Sequence, residues 1–109
     1  MRGYFVDDLL LIMPSTDRRG VRLTGEVVST HRAPLALALT DQAREGEILL
    51  DLTGVHFLAN SALEILVAFA RHLNPPECLL VRAKAELALE QRLAARGWDT
   101  IETLRLVAP

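Results

Sequence analysis

The chain has 109 residues, half of them apolar and 24% charged, a composition that fits a folded globular protein and excludes a disordered or low-complexity one. That length is one domain's worth and leaves no room for a second core, so residues 1–109 are expected to form a single domain. Twelve basic and fourteen acidic side chains give a net charge of −2 and an isoelectric point near 5.9, without the basic face that a nucleic-acid binder needs, so no nucleic-acid partner is expected.

Phe5 to Met13 reads as a first strand. Its apolar run Leu9–Met13 follows Asp7 and Asp8 instead of a basic lead and has no small-residue cleavage site, so it is not a secretory signal. No stretch approaches the ~20 apolar residues that cross a bilayer, and a cytoplasmic protein without direct membrane insertion is expected. The turn formers from Pro14 to Gly20 break the strand. Val21 to Val28 then alternates apolar and polar positions, and the short connection predicts an antiparallel hairpin. Ser29 and Thr30 can cap a first helix with Pro34 in its first turn, and Leu35, Leu39 and Ala43 make one apolar stripe before Gly46.

Ile48 to Leu52 is a short apolar run, the mark of a strand buried on both faces, and Thr53-Gly54 reads as a turn after it. Val55 to Leu58 leads to a second helix, with Asn60 as its expected N-cap and Leu63, Leu66, Val67, Ala70 and Leu73 at helical spacing. Asn74-Pro75-Pro76 ends it. Glu77 to Ala83 is a further strand, within which the lone Cys78 serves as a small hydrophobe; with one cysteine no intrachain disulfide or cysteine zinc cage can form. Glu86 to Arg96 predicts a third helix stopped by Gly97, and Ile101 to Val107 a last strand at a sheet edge. The order β-β-α-β-α-β-α-β gives an α/β fold with a mixed, mostly parallel sheet of about five strands and three to four helices.

Catalytic motifs are absent from this pattern. The six glycines are scattered and form no phosphate-binding loop. His31, His56 and His72 lack metal-ligand spacing, which leaves solvated or capping roles. Ser61, His56 and Asp51 are the residue types of a triad, but no strained nucleophile turn surrounds Ser61. Asp7 and Asp8 are adjacent and on a strand point to opposite faces, so they cannot act on one bond. Asp51 is expected in a structural, hydrogen-bonded position. Trp98 after Gly97 either fastens the helix end to the core or anchors a partner. No enzyme activity, cofactor or metal is expected.

The segments Val21-Arg22-Leu23-Thr24-Gly25-Glu26-Val27 and Ile48-Leu49-Leu50-Asp51-Leu52-Thr53-Gly54-Val55-His56-Phe57-Leu58 resemble the STAS family, the domains of anti-sigma factor antagonists and of sulfate-transporter tails. Gly25-Glu26, Asp51-Leu52, Val55-x-Phe57 and Ser61-x-Leu63 match in register, and the likeness runs from about Phe5 to Val107. The resemblance implies a bacterial, non-catalytic, protein-binding regulator of transcription whose partner is an anti-sigma factor or a serine kinase of the partner-switching type. Where the family has Asp-Ser-Ser-Gly-Leu, this chain has Ala59-Asn60-Ser61-Ala62-Leu63. The family's phospho-acceptor serine is Asn60 here, its preceding Asp is Ala59, and the Asp that follows Gly-Glu-Leu/Val is Val28. Asn60 preserves a capping side chain but carries no hydroxyl, which removes charge switching at that position. Ser61 keeps a hydroxyl next door, but inside the first turn and with a different direction, so it is a secondary candidate for phosphorylation and not the expected site.

Because the family meets its partner at the start and exposed face of this helix, the resemblance assigns partner binding to His56, Asn60, Ser61, Glu64 and Phe69. Ala62, Ile65 and Phe69 form a second apolar strip on the helix, to be covered by a neighbouring element or a partner. A homodimer is compatible with the same features. Two other functions stay open: a subunit docked on the ATPase of a lipid-transport complex, and a small-ligand sensory module.

Overall fold

The computed structural model describes residues 5–16, 19–42 and 46–108. Its strands are β1 (Phe5–Val6), β2 (Leu10–Pro14), β3 (Gly20–Val27), β4 (Glu47–Leu58), β5 (Cys78–Arg82) and β6 (Leu104–Val107), and its helices are α1 (Arg32–Asp41), α2 (Asn60–Arg71) and α3 (Leu89–Ala95). They form one six-stranded sheet in the order β1-β2-β3-β4-β5-β6, antiparallel from β1 to β3 and parallel from β3 to β6. This is the expected mixed α/β fold, with one strand more than the sequence pattern indicates.

The extra strand arises from Asp7. Its Oδ1 accepts hydrogen bonds from the backbone N–H groups of Leu9 and Leu10, both at 2.8 Å, and the Asp7 N–H donates to the Leu10 carbonyl at 3.0 Å. An aspartate that binds the backbone two and three residues on makes a turn. The single strand expected over Phe5–Met13 is therefore a tight hairpin of two.

Asp7 is itself held by a buried histidine. His31 is 1% exposed and lies in a 3₁₀ turn (Ser29–His31) that precedes α1. The Val28 N–H donates to its Nδ1 at 3.0 Å, which puts the ring proton on Nε2, and Nε2 donates to Asp7 Oδ2 at 2.8 Å. Phe5 packs edge-on against the ring, with 5.8 Å between centroids. Of the solvated or capping roles expected of His31, the capping one holds, since its Nδ1 takes the N–H of Val28 at the start of the 3₁₀ turn, and the ring also ties the β1–β2 turn to the entry of α1. The N–H groups of Leu10 and Leu9, and then His31, hold the Asp7 carboxyl below the usual aspartate range.

β4 runs through Thr53-Gly54, where a turn was expected. Two register shifts against β3, between Arg22 and Thr24 and between Gly25 and Glu26, absorb the extra β4 residues as bulges, and the strand continues to Leu58. Asp51 lies mid-strand and accepts from both the N–H and the Oγ1 of Thr53, at 2.9 and 2.7 Å, with Arg82 at 3.6 Å. Its role is structural, as its position suggested. Gly25 permits a close approach: at φ 113°, a Cβ there would run into the Leu9 carbonyl oxygen, which already accepts the Glu26 N–H.

One face of the sheet carries the main core. Leu10, Ile12, Val21, Leu23, Leu50 and Leu79 pack there against Leu35 and Leu39 of α1, Leu63 and Leu66 of α2 and Leu93 of α3. Sequential strand order with right-handed crossovers puts all three helices on that side. The opposite face is open and holds a small cluster of its own, Leu49, Cys78 and Leu80 against Val107. Burial raises the pKa of the Cys78 thiol, and the nearby Glu47 charge adds to it.

The third helix starts later than expected. A 3₁₀ turn (Ala85–Leu87) comes first, and Ala88 then takes a left-handed conformation, φ 51°, before α3 begins at Leu89. At its other end Gly97 (φ 71°) allows the Trp98 N–H to donate to Leu93 O at 2.8 Å and its own N–H to donate to Ala94 O at 3.1 Å. Trp98 then packs on the core, with the Arg96 guanidinium 5.2 Å from its ring centre. Of the two roles open to Trp98, the fastening one accounts for these contacts. The expected end of the α1 stripe at Ala43 lies outside the described residues.

Candidate functional site

The start of α2 stands at the carboxyl end of β4, where parallel strands deliver the chain to the rim of the sheet. Ala59, not Asn60, is the N-cap: its backbone is extended (φ −67°, ψ 154°), its carbonyl accepts the first helical bond from Leu63 at 3.1 Å, and its N–H donates to Val27 O at 2.8 Å. No side chain caps the helix. The N–H groups of Asn60, Ser61 and Ala62 thus belong to the first turn, where no intrahelical acceptor exists.

Asn60 is free of capping because Arg92 of α3 holds it. The Arg92 guanidinium donates from Nη2 to the Leu58 carbonyl at 2.7 Å and to Asn60 Oδ1 at 2.9 Å. One helical turn further, Arg96 meets Glu64 Oε2 at 3.5 Å. Positions 60 and 64 on α2 and 92 and 96 on α3 share the i, i+4 interval, so two rungs join the helices along one edge. A guanidinium at a helix N-terminus opposes the helix dipole. Here the Leu58 carbonyl and the Asn60 amide oxygen offset that.

The five residues assigned to partner binding separate into two groups. His56, Asn60 and Glu64 are exposed on one rim, with Phe57 beside them. Ser61 is half-buried, and its Oγ is shut off from solvent without a hydrogen-bond partner. Phe69 is also half-buried, more than two turns along the helix; with Ile65 it packs on the core, and both line a groove between α2 and Ala36 and Thr40 of α1. The second apolar strip of α2 is accordingly covered in large part by α1, with Ala62 fully buried. Arg92 and Arg96 were missed as site residues. Their signal was the matching i, i+4 interval, which is meaningful only once the two helices are known to be neighbours.

Among the described residues no group of three His, Cys, Asp or Glu side chains could hold a metal ion, and no helix is long and apolar enough to cross a membrane. A sequential mixed sheet with every helix on one face, and a helix starting at the rim after the Asp51-Leu52…Val55-x-Phe57 strand, is a STAS-like architecture. A crystal structure of an anti-sigma factor antagonist from Mycobacterium paratuberculosis is similar over 88% of this chain and 83% of that one, with a TM-score of 0.67 and 22% sequence identity. At that identity the likeness establishes the fold. No protein-family model matches the sequence, and no curated protein does.

Proposed function

We propose that this chain is a non-catalytic regulatory domain that binds an anti-sigma factor, or a serine kinase of the partner-switching type, through the start of α2. The observation that carries this reading is the rim formed by His56, Asn60 and Glu64, set on a STAS-like fold and braced from behind by Arg92 and Arg96. The same rim favours a binder without the usual phosphate switch. Position 60 has an amide already engaged by a guanidinium, and the neighbouring Ser61 hydroxyl faces inward. A phosphate on Ser61 would need room and solvent that its occluded oxygen lacks.

The test is a pull-down from the source organism with the wild-type chain and the Glu64→Arg variant as parallel baits. Recovery of an ATP-binding serine kinase or anti-sigma factor by the wild type, and its loss with Glu64→Arg at unchanged thermal unfolding, supports the proposal. Recovery of a membrane permease with its ATPase overturns it in favour of transport. Incubation of the recovered kinase with ATP and the chain should add no phosphate, and a phosphorylated Ser61 would refute the missing switch.

A further inference from the structure

The open face of the sheet divides into two halves that differ in how they meet solvent. On the β4–β6 half it is closed by its own side chains: Leu49, Cys78 and Leu80 are buried, and Asp51 pairs with Arg82. On the β2–β3 half it is not. Leu9, in the turn that leads into β2, is 44% exposed, Leu11 37% and Met13 44%, and Phe57 on β4 stands at the same rim with 50% exposed. With Val6 of β1, the cross-strand partner of Leu11, these are five of the seven large hydrophobic residues exposed among the described residues, and they share one face. By its size such a patch is ordinary for a monomer, so what singles this one out is the charge arrangement beside it.

The adjacent strand supplies the second observation. Arg22, Thr24 and Glu26 are the outward positions of β3, in register with Met13, Leu11 and the Leu9 turn. Arg22 and Glu26 carry opposite charges four residues apart, about 13 Å along a strand, too far to pair with each other. Neither makes an ion pair or side-chain hydrogen bond among the described residues, and Asp51, which stands opposite Arg22, is already taken by Arg82 and Thr53.

We propose that this half-face is a self-association surface on which a second copy of the chain docks, sheet against sheet. A two-fold axis lying between the sheets, perpendicular to the strands and level with Thr24, reverses the strand direction of the mate. It brings Leu11 onto the mate's Leu11 and Leu9 onto its Met13, and it sets each Arg22 over the mate's Glu26. The two charges left single within one copy become two pairs between copies, and the apolar row meets itself. An isologous interface requires this self-complementarity. The patch measures about 15 Å by 15 Å from strand spacing and rise, well below the ~800 Å² per partner of a standard interface. The dimer is consequently weak. The β2–β3 row at the centre of the surface lies apart from the Asn60 rim, which it approaches only at Phe57, and the test below does not depend on the function proposed above.

Sedimentation equilibrium over about 10 μM to 1 mM protein, a range set by the small patch, tests it. The wild type should dimerise, while Arg22→Glu and Glu26→Arg should each raise the dissociation constant about tenfold or more through like-charge contact. The double reversal Arg22→Glu/Glu26→Arg should restore the dimer, because it exchanges both members of each pair. A mixture of the two single variants should form a heterodimer tighter than either alone. Leu11→Glu should stay monomeric, with circular dichroism confirming its fold. A wild type that remains monomeric throughout, or a dimer indifferent to these reversals, overturns the proposal.

Discussion

Removing the Arg92 guanidinium should loosen the α2 start and cost a measurable part of the stability. Arg92→Met retains the apolar stem and the helix propensity, so the change isolates the charged head. Two of its bonds count, to Leu58 O at 2.7 Å and to Asn60 Oδ1 at 2.9 Å; the third, to Leu87 O at 3.5 Å, is too long to matter. A hydrogen bond to a charged group contributes about 1.5–3 kcal/mol, but water replaces the donor at the exposed Asn60 amide. Counting the part-buried Leu58 carbonyl near the low end of that range and the Asn60 contact at about 0.5 gives a loss of roughly 2 kcal/mol. For a domain of this size that lowers the melting temperature by about 10 °C. Urea unfolding of wild type, Arg92→Met, Asn60→Ala and the double variant measures both the loss and the coupling, expected at about 0.5 kcal/mol. A single-variant loss below about 0.5 kcal/mol, the scatter of ordinary surface substitutions, would refute the bracing role.

Ser61→Ala should raise stability by up to about 1 kcal/mol, since it removes a buried hydroxyl without a partner and installs a better helix former; chemical denaturation measures it. The Asp7 carboxyl is held below its ordinary value of about 3.9, so it stabilises the fold above that pH and ceases to do so as pH falls through the lowered value. Asp7→Asn should therefore show a smaller loss of melting temperature than the wild type on acidification across that range. Cys78, buried and with its pKa raised, should resist a thiol reagent such as Ellman's in the native protein and react fully in denaturant.

Most of the fold was legible in the sequence because burial imposes a pattern on it. The alternation in Val21–Val28 and the helical spacing of Leu63, Leu66, Val67 and Ala70 each fix an element, and these residues are buried as that spacing requires. The failures have local causes. Leu9–Met13 continues the apolar run of the first strand, and only the Asp7 side chain bonding to the backbone divides it. Thr53-Gly54 carries turn chemistry, but the pairing of β4 with β3 continues past it and accommodates it as a bulge. Asn60 is a good cap by type, yet its amide went to Arg92, a residue 32 positions away that no local rule can see. Ala88 at positive φ has no sequence mark, because glycine or asparagine is the usual sign of that conformation. Of the site residues, exposure of His56 and Glu64 follows from their polarity, whereas Phe69 is half-buried because α1 packs beside it, a neighbour that no local pattern reveals.

The sequential order of the strands bears on how the chain is made. Every strand pairs with the one synthesised just before it, so no strand waits at the ribosome for a neighbour not yet translated. The β1–β3 hairpins can close on emergence, and each later strand then adds to an edge that already exists, its helix covering the fresh apolar surface as it follows. Such vectorial growth limits the time that unpaired edges are exposed to aggregation. Nascent chains stalled after β4 and α2 should accordingly resist brief proteolysis over the β1–β4 region, which a fold that assembled only on release would not.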